Sequence, residues 1–167
     1  MPSFTIREVV LDLHRDAVML DTNVVYAAFS TSDSRHRDCL AFLDLAPQFL
    51  LTLPVIVETW GLLVGRDGNW EAGFEFLGWI NNPSSGTVVV NHAESMDKIQ
   101  ELARSVHVDC VDATILYLAH EISNQCSYAP GFAIATYDVA DFLRSLKSFR
   151  FKLRIIDLRS LDEIDLS

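Results

Sequence analysis

Four acids in this chain are each embedded in apolar sequence. Asp21 closes the run Val18-Met19-Leu20, Glu58 follows Val55-Ile56-Val57, Asp112 lies within Val111-Asp112-Ala113-Thr114-Ile115, and Asp138 follows Ala133-Ile134-Ala135-Thr136-Tyr137. Asp109 stands three residues before Asp112 and Asp141 three after Asp138, a spacing that puts each pair on one helical face. A carboxylate is costly to desolvate unless something pairs with it, and carboxylates crowded together raise each other's pKa. Hard divalent cations bound through oxygen resolve both conflicts. Mg2+ takes one or two carboxylates directly, keeps several waters and leaves room for substrate phosphates. The competing reading is local. Asp21, Asp112 and Asp138 can each cap a helix, Glu58 can be a solvated helix residue, and Asp109 a loop or cap residue.

Where the acids fall in the fold separates these readings. Short apolar runs ended by turn-type residues read as buried strands, and this predicts strands over 18–20, 49–53, 87–90, 132–136 and 153–157. Between them the spacing predicts helices: one from Val24 with Thr22 and Asn23 as caps, one over 39–45 stopped near Pro47, and one opened by Pro54 and broken at 65–68. Further helices are predicted over 70–80, 93–106 and 112–122, and another led by Asp138. Strands alternating with helices imply an α/β fold, a largely parallel sheet of four or five strands covered by helices on both faces. In such sheets ligands bind outside the carboxyl ends of the strands. Asp21 and Asp138 fall just past strands, and Glu58 early on a helix that follows one. Residues 4–13 carry Ile6, Val9, Val10 and Leu13 at helical spacing, so 1–17 is expected to be an N-terminal helical extension. The α/β domain then spans 18–159, and 160–167 is an acidic tail expected to fray.

With 167 residues, 50% of them hydrophobic and 22% charged, the chain suits one soluble domain with a real core. No apolar run is long enough to cross a bilayer, and residues 1–15 lack the pattern of a secretion signal. Cys39, Cys110 and Cys126 are scattered, odd in number and form no C-x-x-C pair. Neither a disulfide framework nor a zinc site is expected, and a reducing cytoplasm is the expected compartment. His36, His92, His107 and His120 have no metal spacing and read as surface or cap residues. Trp60, Trp70 and Trp79 read as core. The net charge of −10 argues against a nucleic-acid binder built on a basic stripe. It leaves room for a metal-dependent nuclease, because bound cations restore positive field locally.

The pattern resembles the PIN domain, the metal-dependent nuclease family that includes VapC-type toxins. The resemblance runs from Val18 to Asp157. It rests on Leu20-Asp21-Thr22-Asn23, on Glu58, on Asp112-Ala113 at the start of an apolar helix, and on Thr136-x-Asp138 with Asp141-Phe142. It implies a three-layer α/β sandwich and a cluster of acids holding Mg2+ or Mn2+. Asp21, Glu58 and Asp112 carry over as metal-binding and catalytic acids, with Asp138 as the fourth and Asp141 as its rival. Asn23 and Thr136 carry over as polar supports. The implied activity is RNA cleavage by metal-activated water. The implied partners are an RNA substrate, a small antitoxin protein and a second copy in a homodimer.

Other readings of strand-end aspartates fit less well. A phosphatase of the haloacid dehalogenase type needs an Asp two residues after the first, where Asn23 stands. A receiver domain needs acids just before the first Asp and a Lys at the last strand, and neither is evident. A non-catalytic binding module on the same fold would have no need to keep all four acids.

Overall fold

A computed structural model describes residues 3–6, 9–12, 17–45, 48–90, 95–125, 133–149, 154–159 and 162–165. Ser3–Ile6 (β1) and Val9–Asp12 (β2) pair antiparallel. Then come Val18–Leu20 (β3), Thr22–Phe29 (α1), His36–Leu43 (α2), Phe49–Thr52 (β4) and Leu53–Trp60 (α3). A wide π-type turn over Gly61–Arg66 leads to Trp70–Asn81 (α4) and Thr87–Val90 (β5). Met96–Val106 (α5), Cys110–Gln125 (α6), Ala133–Thr136 (β6), Val139–Phe149 (α7), Arg154–Asp157 (β7) and Asp162–Asp165 (β8) follow.

Among the described residues the main sheet has six strands in the order β5-β4-β3-β6-β7-β8. The first five are parallel, and β8 pairs antiparallel with β7. Every residue of β3, β4 and β6 is buried. Neighbouring residues on a strand face opposite ways, so unbroken burial means both faces are covered. Right-handed crossovers put α1 to α4 on one face and α5 to α7 on the other. From β3 the chain moves outward to β4 and β5, then crosses back to β6 and β7 on the other side. The carboxyl ends of β3 and β6 therefore meet at the point where the strand order reverses, the place where open α/β sheets bind ligands.

Three expectations are overturned. The described part of residues 4–13, namely 4–6 and 9–12, is strand and not helix. These residues include the β-branched Thr5, Ile6, Val9 and Val10, which suit the pleated ribbon formed with Ile6 opposite Val9. The acidic tail is not frayed throughout, because β8 places Ile164 opposite Ile155 as an edge strand. Its acids suit an edge, where charge discourages further strand pairing. Trp70 is not core. It is 59% exposed and Phe74 61%, while α4 buries Ala72, Gly73 and Phe76 instead. Trp60, Trp70 and Phe74 form a surface aromatic cluster with ring centroids 5.9–6.2 Å apart. Trp79 packs on Phe29 and Phe49 against the core, as expected. Pro47, His92, Cys126, Phe132 and Leu153 lie outside the described residues. Among the described residues no helix is long and apolar enough to cross a membrane.

The inward face of α4 is set by a close approach at Gly73. A Cβ there would meet Val64 Cγ2 at 2.6 Å and the Trp60 ring at 3.1 Å. Val64 is buried and stiff at χ1, so it cannot swing aside. Gly73→Ala is expected to lower the unfolding free energy by about 1–3 kcal/mol, the usual cost of overpacking, despite alanine's better helix propensity. Urea denaturation of the two chains measures it.

Candidate active site

Asp21 is the first residue past β3, and its N–H still donates to the Ala135 carbonyl of β6 at 3.1 Å. It is also the N-cap of α1, with Oδ1 accepting the Thr22 N–H at 2.7 Å. Capping therefore occupies only one oxygen. The other, Oδ2, accepts the Thr136 hydroxyl at 2.6 Å and Asn23 Nδ2 at 2.7 Å. Asn23 Nδ2 also reaches Asp138 Oδ2 at 3.2 Å, while Asn23 Oδ1 accepts the Tyr137 N–H at 3.1 Å. Thr136 Oγ1 in turn accepts the Asp138 N–H at 2.9 Å. Asn23 and Thr136 thus tie the loop after β3 to the loop after β6.

Glu58 enters from α3, which starts directly at the end of β4 with Thr52 as cap and Pro54 in its first turn. Its Oε2 accepts the Thr22 hydroxyl at 2.7 Å. Asp112 sits in the first turn of α6. That helix begins at Cys110, earlier than expected, because Asp109 Oδ1 accepts the N–H groups of Val111 and Asp112, both at 2.9 Å. Asp109 is thus the cap residue that its position suggested. The Asp112 carboxylate has no hydrogen bond or ion pair among the described residues.

Asp21, Glu58, Asp112 and Asp138 all line one open cavity of about 740 Å³, together with Asn23 and Asp109. Asp141 does not line it. Asp141 lies further along α7 and pairs with Arg144 at 3.1 Å. Thr136 reaches the cavity only through its bonds to Asp21 and Asn23. Among the histidines, His36 bonds the Ala27 carbonyl, His120 bonds Asn124, and His107 ends α5 in the left-handed conformation. None of these three lines the cavity. The cavity wall also holds residues that sequence reasoning passed over: Tyr26, Ser32, Asp33, Arg35, Leu62 and Arg66. Tyr26 stands on α1, and the others come from the loop after α1 and the turn after α3, where no apolar context marks a polar residue as unusual.

Burial and charge act together on the acids. Burial raises the Asp21 pKa to about 6, against the lowering effect of the Thr136 and Thr22 hydrogen bonds, and Asp138 and Glu58 push it the same way as burial. Asp112 rises to about 7, first through burial and then through repulsion from Asp21, Asp109, Asp138 and Asp141. Among the described residues, no three Asp, Glu, His or Cys side chains are gathered tightly enough to enclose a metal ion as they stand. The donor set nevertheless suits a hard cation. It is all oxygen, it is anionic, and its members repel one another.

A family model described as the PIN domain matches residues 18–144. A solved structure similar in fold is VapC20 of Mycobacterium tuberculosis, described as a toxin that cleaves the sarcin-ricin loop. It is 20% identical with a TM-score of 0.52, and the match covers 66% of this chain and 83% of VapC20. No curated protein matches the chain in sequence.

The raised pKa of Asp112 sets a pH dependence. The native state holds this proton up to about pH 7, whereas the unfolded chain releases it near the ordinary value of about 3.9. Between those limits the native state binds more protons, so stability falls as pH rises. Asp112→Asn removes the dependence. In metal-free buffer the variant's stability relative to wild type is expected to rise from pH 4 to pH 7 and then level off. Chemical denaturation of both chains across that range is the check.

Proposed function

The chain belongs to the PIN domain family, a family of nucleases, and from that membership we propose that it is a Mg2+- or Mn2+-dependent endoribonuclease, the toxin of a toxin–antitoxin pair. The observation that carries the reading is the convergence of Asp21, Glu58, Asp112 and Asp138 on one cavity at the reversal point of the sheet. Among the described residues their hydrogen-bond partners are hydroxyls and amides, with no lysine or arginine. A non-catalytic scaffold would gain nothing from holding four uncompensated acids together, two of them with raised pKa.

In this reading Asp21, Glu58, Asp112 and Asp138 hold the metal. When bound, Mg2+ or Mn2+ supplies Lewis-acid charge to the scissile phosphate and lowers the pKa of water. Thr136 and Asn23 fix the plane of the Asp21 carboxylate through Oδ2. Asn23 also steadies Asp138. Asp112, with no hydrogen bond to satisfy, is the acid free to accept the proton of the attacking water. VapC20 supports the toxin assignment through its fold and its description. The partner half of the reading, an antitoxin and a homodimer, follows from the resemblance. It is supported by the exposed apolar residues of α3 and α4, namely Leu53, Val57, Trp70 and Phe74.

Asp112→Asn is expected to abolish RNA cleavage while the chain stays folded, because no hydrogen bond is lost. Asp21→Asn should be equally inactive but also less stable, since an amide at Oδ2 would face two donors. Asp138→Asn should lose more than about 100-fold, beyond the range of outer-shell partners, and Asp141→Asn less than about tenfold. Cleavage of RNA at saturating Mn2+ ranks them. An active Asp112→Asn would refute the reading, and an inactive Asp141→Asn beside an active Asp138→Asn would exchange their roles. Separately, millimolar Mg2+ or Mn2+ should raise the Tm of the wild-type chain by binding the native state. An unchanged melt would remove the metal site.

A further inference from the structure

The cavity wall carries cations as well as acids. Among the described residues that line it, the only basic side chains are those of Arg35 and Arg66. In a chain of 23 acids and 13 lysines and arginines, they put positive charge on the wall that the acids line.

The two arginines are held in the same way. Arg35 donates from Nε to Asp33 Oδ1 at 2.9 Å and from Nη2 to Asp33 Oδ2 at 2.7 Å, and its guanidinium lies 4.5 Å from the centre of the Tyr137 ring. Arg66 donates from Nε to Asp67 Oδ1 at 2.8 Å and lies 4.7 Å from the centre of the Tyr26 ring. The Tyr26 hydroxyl closes that bracket by donating to Asp67 Oδ2 at 2.7 Å. Each guanidinium is thus fixed in plane by a ring and in rotation by a carboxylate. Such exposed pairs contribute little stability, so stability alone does not explain building two of them on one rim.

The brackets leave donors over. A guanidinium has five N–H groups. Arg35 spends its Nε edge on Asp33 and keeps Nη1 and the second Nη2 hydrogen. Arg66 spends Nε on Asp67 and also interacts with the Tyr26 hydroxyl. What remains on each is the end-on fork that matches two phosphate oxygens. The supporting rings and carboxylates hold it ready, so less side-chain entropy is lost when phosphate binds.

We propose that Arg35 and Arg66 are the substrate-positioning residues of this site, gripping backbone phosphates of a single-stranded RNA on either side of the bond presented to the acids. The inference rests on the ribonuclease reading and deepens it. Asp33 and Asp67 act through the arginines, and Tyr137 and Tyr26 serve as their platforms. Specificity for a base is not part of this role, because phosphate contacts position the strand without reading it.

Removing an arginine alone would leave its aspartate unpaired and repel RNA for that reason. The test therefore uses neutral exchanges, Arg66→Gln with Asp67→Asn and Arg35→Gln with Asp33→Asn, which keep each pair's net charge at zero. Both are made in the Asp112→Asn chain, and binding of a random-sequence single-stranded RNA is measured against salt in Mg2+. Each exchange is expected to lower the slope of log K against log salt by about 0.7, the loss of one phosphate contact. Arg104→Gln, which does not line the cavity, should leave the slope unchanged by that measure. Arg66 lies at the surface, so its exchange carries the test if the Arg35 exchange unfolds in a thermal melt. Slopes equal to the parent's would overturn the proposal, and the ribonuclease reading would stand if the wild-type chain still cleaves RNA. A wild-type chain that neither binds nor cleaves RNA would overturn both.

Discussion

The site depends on one carboxylate oxygen. Asp21 Oδ2 takes the Thr136 hydroxyl and the Asn23 amide together, and through them the ends of β3 and β6 become one rigid edge. The two strands are neighbours, in register from Val18 opposite Ala133 to Leu20 opposite Ala135. Asp21 N–H extends that ladder by one more bond before the chain turns into α1. A buried carboxylate without such partners would be too costly to keep. With them it remains ionisable, at a pKa of about 6.

The other acids arrive on elements that this edge positions. Glu58 reaches the cavity because α3 starts at the last residue of β4 and leans on α1 through the Thr22 hydroxyl. Asp112 arrives from the opposite layer, on a helix whose start Asp109 sets. Packing has thus buried Asp112 and set like charges beside it, and its raised pKa records both, burial first. Natural proteins tolerate such conflicts where a site needs them and compensate elsewhere. Here the compensation is a core in which β3, β4 and β6 are wholly buried.

Charge is divided across the cavity. Asp21 and Asp138 lie just past β3 and β6, Glu58 on α3 and Asp112 on α6, and the arginines stand on the loop after α1 and on the wide turn after α3. That turn is itself shaped by Gly73, which lets α4 press against Val64. A contact in the helical layer therefore bears on where Arg66 is presented.

Much of this was legible in the residues. The strand-helix alternation from Val18 onward sufficed for a parallel α/β sheet, because buried parallel strands are short unbroken apolar runs and helices carry their own period. An acid inside such a run is conspicuous, which is why Asp21, Glu58, Asp112 and Asp138 stood out before their convergence on one cavity was known. Short amphipathic segments are ambiguous by comparison. Apolar residues spaced as in 4–13 satisfy a helix face and a twisted ribbon alike, and tertiary pairing chose the ribbon. The tail's pairing with β7 was equally hidden, since an acidic strand has no apolar signature. Trp70 lay on the wrong side because the inward face of α4 is decided by where Gly73 permits close approach, a fact of packing. Asp138 and Asp141 share a helical face in sequence, and only the folded chain turned one toward Asn23 and left the other to Arg144. The arginine brackets were beyond sequence reasoning altogether. A guanidinium's role is set by the rings and carboxylates that surround it, and Tyr137 and Arg35 meet only when β6 lies beside β3.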